Sequence, residues 1–168
     1  MNIYNVYIEQ AKQYHSGKRK WVGKSLTPHI PEIESLLQEK KLETILDYGC
    51  GKAETQPPEW GVTNYDPAVK KFSGRPDGTF DLVISTDVLE HIPEDYVDEV
   101  IRDIFSFSKQ WVFLSISTRE AHAILPNGMN AHATVKPPEW WEVKLFKYNT
   151  LRYLVAWLHR GSQRAKNS

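Results

Sequence analysis

Three acidic residues in this chain each close a short apolar run: Asp47 after Ile45-Leu46, Asp66 after the run from Val62, and Asp87 after Phe80 to Thr86. A run of this kind reads as a strand that delivers a carboxylate to its carboxyl end, the edge at which open α/β sheets bind ligands. Gly49 and Gly51 follow Asp47 at alternate positions; they let the backbone turn tightly and leave room for a flat or charged ligand. A Gly-x-Gly alone is as often an ordinary turn. Behind Asp87 stand Glu90 and His91, the latter carrying the side chain best poised to take a proton near neutral pH. Farther on, Asn130, His132 and Thr134 alternate with Ala131 and Ala133, so an extended backbone would point all three polar groups one way. They suit recognition of a polar acceptor such as a sugar or an amino group; the competing reading is an Asx-rich turn that satisfies itself.

The elements that must position these groups can be read in order. Ile3 to Tyr14 has helical apolar spacing and Ser16-Gly17 closes it; the charged stretch from Lys18 to Lys24 reads as a loop. Pro28 to Lys40 is a helix with Thr27 as its cap and Ile33 and Leu36 in its inward stripe. Glu43 to Tyr48 is a strand. Pro57-Pro58 cannot continue a helix, and only nineteen positions separate Asp47 from Asp66, so a helix after the glycine turn is cut to about one turn or lost. Fifteen positions from Asp66 to Asp81 leave room for a short helix over Pro67 to Phe72 and little for a further strand. Ile92-Pro93-Glu94-Asp95 opens a helix that buries Val97, Val100, Ile101, Ile104 and Phe105. Gln110 to Ser117 is a strand, Arg119 to Lys136 a long loop and Pro137 to Tyr148 a helix. Leu151 to Leu158 reads as a last strand, with a helix left open, and residues 161–168 as a mobile polar tail.

The stretches Leu46-Asp47-Tyr48-Gly49-Cys50-Gly51-Lys52, Tyr65-Asp66-Pro67 and Phe80 to Glu94 (FDLVISTDVLEHIPE) resemble, in order and in strand context, the nucleotide-binding half of class I S-adenosylmethionine (SAM)-dependent methyltransferases. The likeness runs from about Ile45 to Ile116. It implies an α/β, Rossmann-like sheet with helices on both faces, here contracted, and SAM as methyl donor. It implies too that Asp47 steadies the glycine turn or meets the methionine end of SAM, that Gly49, Cys50 and Gly51 give backbone to that end, and that Tyr48 is among the cofactor-binding residues. Asp66, with Pro67, would take the ribose hydroxyls; Asp87, Val88 and Leu89 would border the methionine part. In many small methyltransferases a segment before the first strand lies over the pocket, which nominates residues 1–27 as a lid and Tyr14, His15 and Trp21 within it. His91 and His132 are the candidate catalytic residues; Asn130, His132, Thr134, Tyr14 and His15 are the candidates for the acceptor. Ala53 stands where the family commonly has a third glycine.

A chain of 168 residues, 40% hydrophobic and 12% aromatic, is expected to be one globular domain. Its single cysteine, Cys50, excludes an internal disulfide, and no apolar run reaches transmembrane length, which points to a reduced cytoplasm. The six histidines are scattered with no helical His-x3-His pair, so no metal-ligand set is expected. The zero net charge hides a segregation: residues 1–29 carry five Lys/Arg against Glu9, and residues 144–168 carry six and no acid. Solvated termini on an acidic domain, or a basic mouth for an anionic substrate, would each explain it.

The expected activity is methyl transfer to a small-molecule or glycan-like polar acceptor. Base-methylating relatives carry Asp/Asn-Pro-Pro-aromatic after the fourth strand; that position here reads Asp87-Val88-Leu89-Glu90, which argues against a DNA base. The alternative from another class is a non-catalytic module or subunit that binds SAM or a nucleotide. A nicotinamide-dependent oxidoreductase is disfavoured by the missing third glycine.

Overall fold

The computed structural model describes residues 3–16, 24–148, 152–159 and 162–167. Its centre is one six-stranded sheet built from β1 (Ile45–Tyr48), β2 (Thr63–Tyr65), β3 (Phe80–Thr86), β4 (Ser108–Ser117), β5 (Arg152–His159) and β6 (Ser162–Asn167), in the order β2-β1-β3-β4-β5-β6. The first five strands are parallel, and β6 runs antiparallel to β5. Helices are α1 (Ile3–Ser16), α2 (Ile30–Lys40), α3 (Val97–Ser106) and α4 (Pro138–Phe146).

Strand alternation decides what each face buries. Leu46, Tyr48, Val83, Val112, Leu114 and Ile116 meet the apolar sides of α3 and α4, where Ile101, Ile104, Trp141 and Leu145 are buried. Ile45, Leu82, Ile84 and Phe113 face the other way, against Ile33 and Leu36 of α2. Burying Ile101 or Ile104 contributes about 1.5–3 kcal/mol each, more than a ten-residue helix could supply from propensity. His29, just ahead of α2, reaches across that second face to Ser115 Oγ at 3.0 Å.

Where a parallel pair usually needs a crossover helix, β1 and β2 are joined by the glycine turn and one 3-10 turn, Pro58–Trp60. Trp60 is buried among the α2-facing residues and fills the place a crossover helix would cover. No strand forms between β2 and β3; a 3-10 turn at Lys70–Phe72 stands there instead. Asp81 pins the start of β3 to the segment before β1, since its Oδ2 accepts from the Thr44 N–H (3.0 Å) and the Thr44 hydroxyl (2.8 Å).

Several elements differ from their sequence reading. The α2 helix begins only at Ile30, after a 3-10 turn over Thr27–His29, and Thr27 makes no side-chain cap. Within the stretch read as a polar tail, Ser162–Asn167 form a strand that pairs along β5, from Leu154 with Asn167 to His159 with Ser162. Edge pairing uses main-chain groups alone, so the polar composition of that stretch carried no strand signal.

Candidate active site

At the carboxyl ends of β1, β2 and β3 a cleft of about 430 Å³ opens. It is lined by Asp47, Tyr48, Gly49, Cys50 and Gly51 from the first turn, by Asp66 and Pro67 from the second, and by Asp87, Val88 and His91 from the third. Ten of the residues nominated from sequence thus come together. Leu89 does not: it is 1% exposed and lies in the core against α3. It follows Val88 into a 3-10 turn that carries its side chain inward.

The glycine turn is shaped by its neighbours. Gly49 sits at φ +79°, and a Cβ built there would stand 2.4 Å from Val88 Cγ2, so this position admits only glycine. Ala53 holds φ +54° without being glycine, at a cost of about 1–2 kcal/mol. The turn's N–H groups are spent internally. Gly49 and Cys50 both donate to Tyr65 O (2.7 and 3.2 Å), and Gly51 donates to Asp66 Oδ2 (2.9 Å). Any contact these three residues make with a ligand is therefore by shape and not through their N–H groups. The Cys50 thiol is raised by burial, which makes it unreactive.

Asp66 is also an Asx turn, its Oδ1 accepting from the Ala68 N–H at 2.8 Å. Each of its oxygens can accept a second hydrogen bond, and the residue lines the cleft. Asp47 is buried and accepts from the side-chain amide of Gln56, which also donates to Asn64 Oδ1 (2.6 Å). Burial, only partly offset by that hydrogen bond and reinforced by Asp66, lifts the Asp47 carboxyl to about 7.

The far end is assembled across forty residues. Asp87, at φ +61°, faces His91 Nε2 at 4.0 Å through Oδ2 and His132 Nε2 at 3.9 Å through Oδ1. His91 Nδ1 lies 2.7 Å from Ala131 O, and His132 Nδ1 lies 2.6 Å from Arg119 O. A carbonyl only accepts, so both Nδ1 atoms carry hydrogen, and in the neutral rings the Nε2 lone pairs face Asp87. Burial lowers the His132 pKa below its ordinary value, which favours the neutral ring. Glu90, fully buried, lies against Asp87; its Oε1 accepts from the Ser117 N–H (2.6 Å), while Oε2 meets no donor. Burial first, then the charge of Asp87, pushes the Glu90 carboxyl far up; burial also pushes Asp87 up, but His91, Glu90 and His132 outweigh it and hold Asp87 at about 2. This pair therefore shares one proton, and Glu90, the more buried partner, holds it.

The three polar groups of the 119–136 loop part company. Asn130 clamps the loop, accepting from the Ala121 N–H (3.1 Å) and donating to Ala121 O (3.0 Å). Thr134, 2% exposed, donates to Ile92 O (2.6 Å). Only His132 turns toward Asp87, so an acceptor role for Asn130 and Thr134 is withdrawn: their side chains close the loop on itself. The scattered histidines, which gave no metal set by spacing, likewise yield one group with metal-ligand geometry among the described residues: Asp87, His91 and His132, with ligand atoms within 4.8 Å of one another.

The sequence reading missed several lining residues: Ile8 and Ala11 of α1, Lys24, Ser25 and Leu26 ahead of α2, Lys52 and Gln56 of the first connection, and Thr86. Helical spacing in α1 carried the signal for an inward face, but nothing local said which cavity it covers. The loop seats it: Ala11 packs with Leu125 and Ala131, and the Asn127 N–H reaches Gln10 Oε1 at 3.1 Å. The side chains of Tyr14 and His15 and all of Trp21 lie outside the described residues.

What the cleft accepts follows from its donors and charges. A dinucleotide pyrophosphate needs unspent N–H groups at a helix N-terminus, and this turn has neither the helix nor the donors. Asp66 and Asp87, joined by Asp47 once it ionises above about 7, give the cleft acidic walls that suit the positive charge SAM carries at its sulfonium and its amino group. Its volume lies in the range of small-molecule sites. No helix among the described residues is long and apolar enough to cross a membrane. No curated protein and no solved structure matches the chain. The family model of the methyltransferase domain matches residues 28–160, well over half the chain, so the chain belongs to that family: a Rossmann-like methyltransferase whose methyl donor is SAM.

Proposed function

We propose that the cleft seats SAM with its ribose at Asp66 and its methionine end along the Gly49–Gly51 turn, Asp47 and Val88. The methyl group then faces Asp87 and His91. The acceptor is a small polar molecule or glycan-like group that meets the methyl at that end. One observation carries the reading: the acids closing three successive strands, Asp47, Asp66 and Asp87, line a single cleft.

SAM supplies an electrophilic methyl on a sulfonium, so most of the catalysis left to the protein is alignment. Asp66 sets a negative field at the turn, and Asp47 adds to it once it ionises above about 7. Ile8, Ala11, Leu26 and Val88 give the cleft apolar walls that exclude water from the donor. Asp87, 39% exposed at its side chain, and His91 receive the acceptor, with His132 Nε2 3.9 Å from the same carboxylate. The reading is a contracted class I fold, in which Trp60 substitutes for the missing helix and the spent N–H groups make the turn a shaped seat rather than a donor cradle.

The test is release of S-adenosylhomocysteine from SAM with panels of amino sugars, hydroxylated small molecules and oligonucleotides. Turnover with the small polar compounds is expected. SAM binding without turnover on any of them, together with turnover on an oligonucleotide, would overturn the acceptor class.

A further inference from the structure

We propose that Asp87, His91 and His132 form a binding site for a divalent transition-metal ion of the zinc, iron, manganese and cobalt group. The ligand atoms already lie within 4.8 Å of one another. Around an ion bonded at about 2.0–2.2 Å, neighbouring ligand atoms stand about 3–4 Å apart, so side-chain rotation alone closes the site.

Orientation supports the same reading. Ligand histidines commonly give their other ring N–H to a backbone carbonyl or a carboxylate, which fixes the tautomer and the ring plane. Both rings here do so, His91 to Ala131 O and His132 to Arg119 O. They stand edge to face, 4.8 Å apart at 90°, so their Nε2 atoms converge without the rings colliding. The backbone beneath them is held as well. The Thr134 N–H donates to Glu90 O at 2.9 Å and its hydroxyl to Ile92 O, tying the loop that carries His132 to the turn that carries His91.

Glu90, fully buried, accepts from the Ser117 N–H at 2.6 Å and so anchors the turn that carries both Asp87 and His91. Asp87 is moreover held at φ +61°, a left-handed conformation that costs about 1–3 kcal/mol and here aims its carboxylate between the two rings.

Two imidazoles and one carboxylate select the class of ion. All-oxygen sites suit magnesium and calcium, whereas nitrogen-rich sets with open positions suit first-row transition metals. Asp87 and His91 line the cleft, so the ion's remaining positions open into it. Resting on the proposed orientation of SAM, those positions take an oxygen or nitrogen of the acceptor and bring it to the methyl.

The experiment uses untagged full-length protein stripped with a chelator and titrated with Co2+ alone, read by d–d absorption and calorimetry. One ion per chain is expected, with visible bands of nitrogen–oxygen ligation and a rise in melting temperature. Asp87→Asn and His132→Ala should each weaken Co2+ roughly tenfold to a hundredfold. Should His132→Ala lose its fold, Asp87→Asn, which keeps the side-chain shape, carries the test. A parent that takes up no stoichiometric Co2+, or an Asp87→Asn variant that binds it as the parent does, would overturn the proposal. SAM affinity measured on the same samples separates the two readings: SAM bound without cobalt sinks the metal site alone, and cobalt bound without SAM sinks the cofactor seat alone.

Discussion

The two ends of the cleft are built on opposite principles. At the glycine turn the polar groups are answered by neighbours close in sequence: the Gly51 N–H by Asp66, the Gly49 and Cys50 N–H groups by Tyr65, Asp47 by Gln56. At the Asp87 end the groups come from residues forty positions apart. Two carboxyls, Asp87 and Glu90, lie against each other there and share one proton. One end is a finished surface that binds by shape and field. The other holds unsettled charge and is suited to meeting something that reacts. Changes at the glycine turn should therefore cost fold as well as binding, and changes at the Asp87 end should cost chemistry.

The largest effect is expected from Gly49→Val. Its positive φ and the 2.4 Å approach to Val88 leave no room for a β-branched side chain. SAM affinity should fall beyond detection in calorimetry, with a stability loss of about 2 kcal/mol or more. A variant that melts and binds like the parent would show that this turn is not the seat.

Asp47 sharpens the comparison through pH. Its carboxyl holds a proton to about 7 when folded and to 3.8 when unfolded. A raised carboxyl pKa means that the folded state binds the proton more tightly. That contribution is complete below 3.8 and is lost as pH rises through about 7. Between pH 5 and 8 the parent should lose about 2–3 kcal/mol that Asp47→Asn does not. The difference between their chemical-denaturation curves isolates this group; parallel pH profiles would mean that Asp47 is ionised throughout.

Asp66→Ala comes next. It removes the acceptor of two N–H groups as well as the proposed ribose contact, and SAM should bind about 1–3 kcal/mol more weakly. Unchanged SAM affinity would remove the ribose from Asp66 and leave only the Asx turn.

The smallest effect belongs to Ala53→Gly. Relief of φ +54° and the greater freedom of an unfolded glycine nearly cancel, so stability should move by about 0.5 kcal/mol or less. A large gain would mean that the turn is more strained than its hydrogen bonds indicate.

The contrast between the ends is also the contrast between what was legible in the sequence and what was not. Asp47, Gly49, Gly51 and Asp66 announce themselves because a strand end and the turn after it are contiguous in the chain. Pro57-Pro58 likewise reveals that no helix follows β1, since proline acts locally. His132 could be seen as polar and loop-borne, but its pairing with Asp87 needs the loop's fold. That fold rests on Asn130 and on Thr134 reaching Ile92 O, contacts no spacing rule encodes. Alternation proved too weak a guide there, because a loop held by side-chain clamps is not a strand. The share of α1 in the cleft was hidden for the same reason: amphipathic spacing gives a face, and only packing against Leu125 and Ala131 decides its partner.

The central claim is that SAM lies along the cleft with its reactive centre toward Asp87. The most direct measurement is a crystal structure with S-adenosylhomocysteine bound. The account predicts the ribose hydroxyls at Asp66 and the sulfur on the Asp87 and His91 side of the glycine turn. A ligand whose sulfur points away from Asp87, or one bound outside the cleft, would contradict it.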